Sequence, residues 1–241
     1  MTKIQKTVFE NWMSERYTED NANLVGMTSM RGKFYVGRKD LARFHELYHE
    51  SSAGGELLGM AQMPQNFSMF RCDIDRKSPE GDGIIKELIR PDEVKEFIGE
   101  VRAVLSKVVT GVQETHLHCA VMTKDPYVKD GHVKHGLHLQ FPNLFIDKES
   151  FKAIETKLSE VIPGYDKIAS NPWLLYGSKK SETSGTYTVE YVDTTDVDIE
   201  PEVYFEDYDI FDAREKKIIF SGGVEKYYSQ IFSVWPYSRK E

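Results

Sequence analysis

The chain has 241 residues, of which 40% are hydrophobic and 29% charged, a composition typical of a globular protein with a sizeable core and not of a disordered one. No apolar run approaches the roughly 18–20 residues that cross a bilayer, and the first six residues lack the apolar core of a signal peptide, so we expect no membrane partner. Cys72 and Cys119 are the only cysteines and lie in predicted strands, which excludes a cysteine-rich zinc module and indicates reduced thiols in an intracellular, reducing compartment.

The net charge of −8 is concentrated in one segment. Residues 190–209 contain nine acids and no Lys or Arg, which leaves about +1 for the rest of the chain. We expect this segment to be a solvated loop; a mobile lid or a partner site is the alternative. A basic groove elsewhere therefore remains compatible with the composition.

Hydrophobic periodicity predicts the elements of the first half of the chain. In order, they are a helix over residues 4–17, a hairpin of strands over 24–30 and 33–37, a helix over 40–50, a strand over 67–75, a turn over 78–83, a short strand over 86–90 and a helix over 91–109. The apolar stripe of the first helix is Ile4, Val8, Trp12 and Met13. In the second helix, His45 falls outside the stripe. The long helix begins at Pro91 and has a predicted buried face of Val94, Phe97, Ile98, Val101, Leu105 and Val108.

The second half mixes strands and helices in the same way. In order, we expect a strand over residues 116–123, a loop over 124–134, a strand over 136–141 ended by Pro142, a helix over 148–161, strands over 173–176 and 186–192 around a turn, a strand over 218–220 and a helix over 223–232. Neighbouring strands are expected to be antiparallel. The order predicts an α+β fold and argues against a doubly wound sheet.

Two acids end the first long strand. Asp73 and Asp75 are two residues apart, so their side chains share one face, with Cα atoms roughly 6–7 Å apart. Carboxylates at that spacing can bind a pair of divalent metal ions. The alternative is a strand end whose acids face water.

A second polar cluster lies on a later strand. Leu137 and Leu139 alternate with Lys134, Gly136 and His138, so the polar residues share the face opposite the core. Glycine leaves room for a phosphate, and Lys and His can donate hydrogen bonds to its oxygens. A structural histidine is the alternative.

A third cluster follows the next helix. Asp166 stands just beyond that helix, where its local sequence indicates a turn or a cap. Ser178, Lys179 and Lys180 come after the run Leu174-Leu175-Tyr176-Gly177. These lysines can reach a triphosphate, DNA or only water.

The ordered set D-x-D, K-x-G-x-H, then D followed by L-L-Y-G-S-x-K resembles the catalytic domain of archaeo-eukaryotic primases. The chain is most similar to the primase modules of large nucleocytoplasmic DNA viruses, which precede a helicase in one polypeptide. The eukaryotic primase-polymerase is a more distant relative. The three motifs span residues 73 to 180.

The resemblance implies a single catalytic domain over residues 1–241. It would combine an N-terminal α/β module of about residues 1–110 with a module like an RNA-recognition motif (RRM) over 111–241, and the active site would lie in the cleft between them.

The resemblance also implies a role for each motif residue. Asp73, Asp75 and Asp166 would bind Mg²⁺ or Mn²⁺ in a two-metal site. The residues implied to bind nucleotide are Lys134, Gly136, His138, Ser178 and Lys180, and His138 would also be catalytic. Two departures stand out: Gly136 replaces the serine of many relatives, and Leu174 replaces the arginine of the eukaryotic relative.

We therefore expect a template-directed nucleotidyltransferase that makes or extends primers on single-stranded DNA. Its partners would be nucleoside triphosphates, template and primer, and a helicase in the same polypeptide or a partner helicase, at a viral replication site in the host cell. One alternative is a non-catalytic DNA-binding or assembly module. A two-histidine phosphoesterase using His116, His118 and His138 is a further alternative, but the Ser or Thr expected two residues after each histidine is missing.

Overall fold

The computed structural model describes residues 7–81, 87–212 and 214–235. Its helices are α1 Val8–Ser14, α2 Leu41–Ala53, α3 Pro91–Val108, α4 Lys148–Val161, α5 Pro201–Tyr204 and α6 Tyr228–Ile231. Its strands are β1 Leu24–Gly26, β2 Gly32–Phe34, β3 Met60–Gln62, β4 Phe67–Pro79, β5 Cys119–Thr123, β6 Tyr127–Lys129, β7 His132–Asp147, β8 Tyr165–Asp166, β9 Trp173–Leu174, β10 Thr188–Asp193 and β11 Asp198–Ile199. Helices and antiparallel sheets are mixed along the chain, which confirms the predicted α+β class.

The larger sheet contains seven strands. Its order is β11-β10-β5-β7-β4-β8, with β6 paired to β7, and every pairing is antiparallel. The segment β4-α3-β5-β7-α4-β8 therefore has the β-α-β-β-α-β order of a ferredoxin-like unit, apart from the short β6. The module boundary expected near residue 110 lies between α3 and β5, inside this unit.

The smaller sheet has the order β2-β1-β3-β9 and is also antiparallel. The predicted pairing of residues 173–176 with 186–192 is wrong, because β9 pairs with β3 whereas β10 pairs with β5. The chain after Asp166 thus crosses from one sheet to the other. This crossing brings Trp173 to the larger sheet's site.

Residues 233–235 join the two sheets. The Gln62 side chain of β3 donates to Ser233 Oγ at 2.8 Å and accepts from the Val234 N–H at 2.9 Å. The Val234 carbonyl accepts from the Met69 N–H of β4 at 3.0 Å. These bonds fix the smaller sheet against β4.

The predicted core face of the central strands is confirmed. Leu137 and Leu139 are buried, and Phe70 packs its ring 5.4 Å from Phe141 and 5.1 Å from Phe151 of α4. Fully burying such a side chain stabilises a protein by about 1.5–3 kcal/mol. The opposite face of β4 and β7 is thereby left for the polar clusters.

The predicted helices occur, with errors at their ends and faces. In α1 the buried residues are Phe9 and Met13, whereas Val8 is exposed; Ile4 lies outside the described residues. The helix α3 has the predicted bounds to within one residue and the predicted face, except that Val108 in its last turn is 41% exposed. The final predicted helix is a 3₁₀ turn over Val224–Tyr227 followed by α6.

Several predicted strand limits are wrong. Glu114–Leu117 form a 3₁₀ turn, so β5 begins only at Cys119. Pro142 does not end β7. Residues 142–144 lie in a bulge opposite Met69 and Phe70 of β4, and the strand continues beyond it to Asp147. Residues 87–90 and 218–220 are not strands; Lys86 of the first lies outside the described residues.

The acidic segment is not simply a solvated loop. It contains the end of β10, then β11 and α5. Asp193 is 6% exposed and pairs with Lys95 at 2.6 Å and Arg102 at 2.5 Å, both on α3. Two cations from the long helix therefore neutralise and fix the start of this segment.

Among the described residues, no helix combines the length and apolar character needed to cross a bilayer.

His45 gives a testable pH dependence of stability. It lies outside the stripe predicted for α2, yet it is buried, with Nδ1 3.0 Å from Ser229 Oγ. Burial lowers the pKa of His45 from 6.5 to about 3. Between these values the unfolded chain binds a proton that the folded protein does not, so the free energy of unfolding falls as the pH drops below 6.5.

We expect His45→Gln to remove this acid sensitivity. Between pH 7.5 and 5.5 the wild type should lose about 1 kcal/mol more than the variant, as urea unfolding will measure. His49→Gln, on the same helix, is the matched control and should behave as the wild type. Equal losses in the wild type and in His45→Gln would show that His45 does not titrate as described.

Candidate active site

The three predicted carboxylates meet on the polar face of the larger sheet. Asp73 and Asp75 lie on β4, and Asp166 lies on β8 directly opposite Asp73. One carboxylate oxygen from each residue lies within 4.8 Å of those of the other two. The local sequence of Asp166 indicates a turn or a cap, but the residue is part of a two-residue strand.

Two features hold β8 against β4. Gly164 has a φ of +83°, and a Cβ there would lie 2.5 Å from the carbonyl oxygen of Asp75, so the close approach requires glycine. The Gly164 carbonyl accepts from the Asp75 N–H at 2.9 Å. Beyond Asp166, the buried carboxylate of Glu155 accepts from the N–H groups of Ile168 and Ala169. The backbone on both sides of Asp166 is thus fixed.

The electrostatics of the triad are those of crowded acids. Burial raises the pKa of Asp75 and of Asp166, and repulsion from Asp73 raises both further. Burial alone would also raise the pKa of Asp73, but His138, Lys180 and Lys124 together hold it below its ordinary value. The cluster therefore favours a cation at its centre.

The donor set fits a hard divalent cation. The Asp73 side chain is 14% exposed, and its Oδ1 is buried and accepts no hydrogen bond from the described residues. A buried carboxylate oxygen that accepts no hydrogen bond is costly unless something binds it. Three carboxylates around one point are the oxygen ligands that Mg²⁺ and Mn²⁺ prefer.

His138 stands beside this triad. It pairs with Asp73 of β4 in the strand register, and its Nε2 lies 3.5 Å from Asp73 Oδ1. Its ring stacks on Tyr187, with centroids 3.4 Å apart and planes at 17°, and lies 4.2 Å from the ring of Trp173. Burial lowers the pKa of His138, which favours a neutral imidazole in a fixed orientation.

Two lysines, Lys134 and Lys124, lie at different distances from Gly136 and the acidic triad. Gly136 lies opposite Asp75, whereas Lys134 lies opposite Lys77, two residue pairs further along the strand. Lys124, the first residue of the predicted loop over 124–134, approaches the site. Burial lowers the pKa of Lys124, and the charges of Asp75 and Asp73 oppose that decrease. No local sequence pattern distinguished Lys124, Trp173 or Tyr187.

The third motif contains one exposed residue near the site, Lys180, and one buried residue, Ser178. Lys180 is exposed, and its charge helps to lower the pKa of Asp73 and opposes the rise in the pKa values of Asp75 and Asp166, so it lies on the site's side of the molecule. Ser178 is buried; its hydroxyl donates to the Met60 carbonyl, accepts from the Met60 N–H, both at 3.0 Å, and lies 2.8 Å from Tyr48 Oη. These bonds use the Ser178 hydroxyl to join the loop to β3, and the nucleotide contact implied for Ser178 stays a prediction.

The other histidines do not complete a phosphoesterase site. His118 precedes β5, with Nδ1 2.8 Å from Tyr204 Oη, and His116 Nδ1 accepts from the Gln113 N–H. His138 pairs with Met122, four residues along the chain from His118 and so roughly 13 Å away.

A known family and viral proteins are similar to this chain. The family described as "C962R protein N-terminal AEP domain" matches residues 25–192, which is more than half of the chain and includes every residue of the site. The candidate helicase 121R of Invertebrate iridescent virus 3 is 25% identical over 194 residues, covering 70% of this chain and 21% of that protein.

Two further relatives show the same pattern. The candidate helicase 184R of Invertebrate iridescent virus 6 is 24% identical over 204 residues, and the candidate helicase L207/L206 of Acanthamoeba polyphaga mimivirus is 21% identical over 178 residues. They match 70% and 66% of this chain, and 21% and 18% of their own lengths. The chain thus spans about a fifth of the length of the curated relatives it matches.

Proposed function

The chain belongs to the archaeo-eukaryotic primase (AEP) family, and on that basis we propose that it is a template-directed nucleotidyltransferase that makes or extends primers on single-stranded DNA. The observation that carries the proposal is the meeting of Asp73, Asp75 and Asp166, from two strands, beside His138. Asp166 is far from Asp73 and Asp75 in sequence, yet the two-residue strand β8 places it directly opposite Asp73. A chance cluster of solvated acids explains this placement poorly.

The residues divide the chemistry between them. The three aspartates would hold the divalent ions, which when bound lower the pKa of the attacking 3′-hydroxyl and neutralise charge on the triphosphate. His138 is oriented by Tyr187 and can donate a hydrogen bond to a phosphate oxygen beside Asp73. Lys180 and Lys134 would attract the triphosphate or the template by charge.

The proposal includes the expected two-module architecture. The β-α-β-β-α-β unit from β4 to β8 supports an RRM-like module, and the part of this unit from β5 to β8 lies within the expected residues 111–241. The smaller sheet supplies Trp173 over His138, which supports a site in the cleft between the two sheets. Template DNA would follow this cleft and bind in a salt-dependent way.

The names of the relatives support a helicase as the partner. Because the chain spans only about a fifth of each relative, we propose that it acts as the primase part of a viral replication protein that also contains or recruits a helicase. A non-catalytic assembly module is the competing role. The names of the relatives favour it, because they mention a helicase and no primase.

The deciding experiment is nucleotide incorporation. The protein is incubated with single-stranded template, labelled triphosphates and Mg²⁺ or Mn²⁺, with and without a primer. Labelled product of defined length supports the proposal, and the arm without primer separates chain initiation from extension. Template binding without incorporation under any of these conditions would favour the assembly role.

We expect His138→Ala and Lys134→Ala to weaken nucleotide use more than template binding. Loss of a charge-assisted contact costs about 1.5–3 kcal/mol, or roughly ten- to hundredfold in apparent nucleotide affinity. His138→Ala should have the larger effect, because its ring lies 3.5 Å from Asp73 whereas Lys134 lies further along β7. Steady-state incorporation should report this loss as a raised KM.

The control for this prediction is Lys129→Ala, which removes an exposed lysine on the neighbouring strand β6. Fluorescence anisotropy with single-stranded DNA should change little in all three variants. If His138→Ala lost template affinity and kept its KM for nucleotide, the strand would be a DNA contact.

A further inference from the structure

Polar groups from three elements converge on one point above Gly136. A Cβ built on Gly136 would overlap the Tyr187 hydroxyl, lie 2.6 Å from Asp75 Oδ1 and lie 2.9 Å from Lys124 Nζ. These three groups come from β4, from the residue after β5 and from the residue before β10. The absence of a side chain at position 136 is therefore what allows a hydroxyl and an ammonium to reach the acidic triad.

Tyr187 is held rigidly in this position. Its residue is 8% exposed, and its ring stacks on His138 with centroids 3.4 Å apart. A phenol keeps its proton at neutral pH and so can donate a hydrogen bond to an anion. The hydroxyl lies over Gly136, which is the residue opposite Asp75 in the strand register.

Lys124 completes the arrangement from the other side. Its Nζ lies 4.3 Å from the ring centroid of Tyr187 and 5.3 Å from that of Tyr127, so aromatic faces hold the ammonium. Asp75 and Asp73 attract it by charge. A partly buried ammonium beside a hydroxyl, at the edge of a carboxylate cluster, is suited to a phosphate group that shares the metal ions of that cluster.

We propose that Tyr187 and Lys124 contact the triphosphate of the incoming nucleotide, Tyr187 through its hydroxyl and Lys124 through its ammonium, and that Gly136 is required because any side chain there displaces both. This inference rests on the proposed function and adds two substrate-contacting residues to it. The contacts are to phosphate oxygens, so they are the same for every base and for ribose or deoxyribose.

The test measures binding of inorganic tripolyphosphate and of ATP in the presence of Mn²⁺, by calorimetry, without any turnover. Tyr187→Phe removes only the hydroxyl, and Lys124→Met removes only the charge. Each should weaken the binding of both ligands about ten- to a hundredfold, because each loses a hydrogen bond to a charged group. Mn²⁺ binding in the absence of phosphate should not weaken in either variant, because the carboxylates are untouched and Lys124 is itself a cation beside them.

The controls and a coupled pair sharpen the test. Tyr191→Phe on β10 and Lys129→Met on β6 should bind as the wild type. Gly136→Ala should bind tripolyphosphate at least as weakly as Tyr187→Phe. Adding Tyr187→Phe to Gly136→Ala should cost little more and should raise the Tm above that of Gly136→Ala alone, since the overlap with the hydroxyl is gone.

The outcomes separate this inference from the function it rests on. Wild-type binding of tripolyphosphate with no loss in Tyr187→Phe and Lys124→Met overturns the inference and leaves the proposed function standing. Equal loss of Mn²⁺ binding in these variants also overturns it, because the residues would then act on the metal site. No binding of ATP or tripolyphosphate by the wild type overturns both.

Discussion

Replacing Asp73 and Asp75 together with alanine is expected to abolish nucleotide incorporation while the protein remains folded. Both carboxylates belong to the cluster of three that lies within 4.8 Å, so the double variant keeps one of three ligands. Bound metal ions contribute several kcal/mol to such reactions, and each 1.4 kcal/mol is tenfold in rate, so we expect a loss of about a thousandfold or more.

The stability of this double variant is expected to stay close to that of the wild type in metal-free buffer. Repulsion from Asp73 raises the pKa of Asp75, so losing Asp75 removes an unfavourable interaction of the folded state. The loss of Asp73 acts in the opposite direction, because its neighbours hold its pKa below the ordinary value. Thermal melts with EDTA measure this, and Mn²⁺ should raise the Tm of the wild type only. Glu96→Ala/Glu100→Ala, on the exposed side of α3, is the matched control for loss of two acids.

Incorporation at the wild-type rate by the double variant would remove both residues from the active site. A variant that fails to fold would not carry the conclusion, so the melt and the incorporation assay must be made on the same preparation.

Replacing Asp166 with asparagine is expected to lower incorporation by about a hundredfold or more. Asparagine keeps the shape of the side chain and removes the charge that holds a hard cation. Asp166 lies opposite Asp73 in the register of β4 and β8, so the loss falls directly on the shared site. A Mn²⁺ titration of incorporation should show a raised metal requirement as well as a lower maximum.

The same variant separates a metal ligand from a capping residue. Asparagine caps a helix about as well as aspartate, so a cap would tolerate the change in both activity and stability. We expect the melt of Asp166→Asn to be unchanged or slightly higher, because repulsion from Asp73 and Asp75 raises the pKa of Asp166 beyond the effect of burial. Near-normal activity would mean that the third ligand lies elsewhere.

The sequence was sufficient for the parts of the site that depend on local alternation. The period of two along β4 and β7 places Asp73 with Asp75 and Gly136 with His138, and the structure keeps both faces. Asp166 was found only through the ordered motifs, since a two-residue strand has no periodicity to read. The residues just before it, Pro163 and Gly164, are typical of turns, so the local sequence indicates a turn or a cap at Asp166.

The parts that depend on strand register could not be predicted. Tyr187 and Lys124 lie near the acidic triad because β10 pairs with β5 and β5 with β7, and nothing in their own segments marks them as its neighbours. Ser178 belongs to a motif, and its hydroxyl makes contacts that the motif does not indicate, with Met60 and Tyr48 of other elements. Contacts between distant segments decide these roles.

The strand pairing departs from the prediction for a related physical reason. Residues 173–176 and 186–192 are close in sequence, and short connections usually join neighbouring strands. Here β9 is recruited by β3 of the smaller sheet, which itself is fixed to β4 through Gln62 and Val234. As a result β9 and β10 do not form a hairpin with each other, and Trp173 of β9 lies against His138.

The most direct test of the central claim is the choice of nucleotide on homopolymer templates. The protein is given poly(dT) or poly(dC) with a mixture of labelled triphosphates and Mn²⁺, and the identity of the incorporated nucleotide is measured, with Asp166→Asn beside the wild type. The wild type is expected to incorporate only the nucleotide complementary to each template, and Asp166→Asn is expected to incorporate almost none. Incorporation that ignores the template, or that survives in Asp166→Asn, would contradict the central claim.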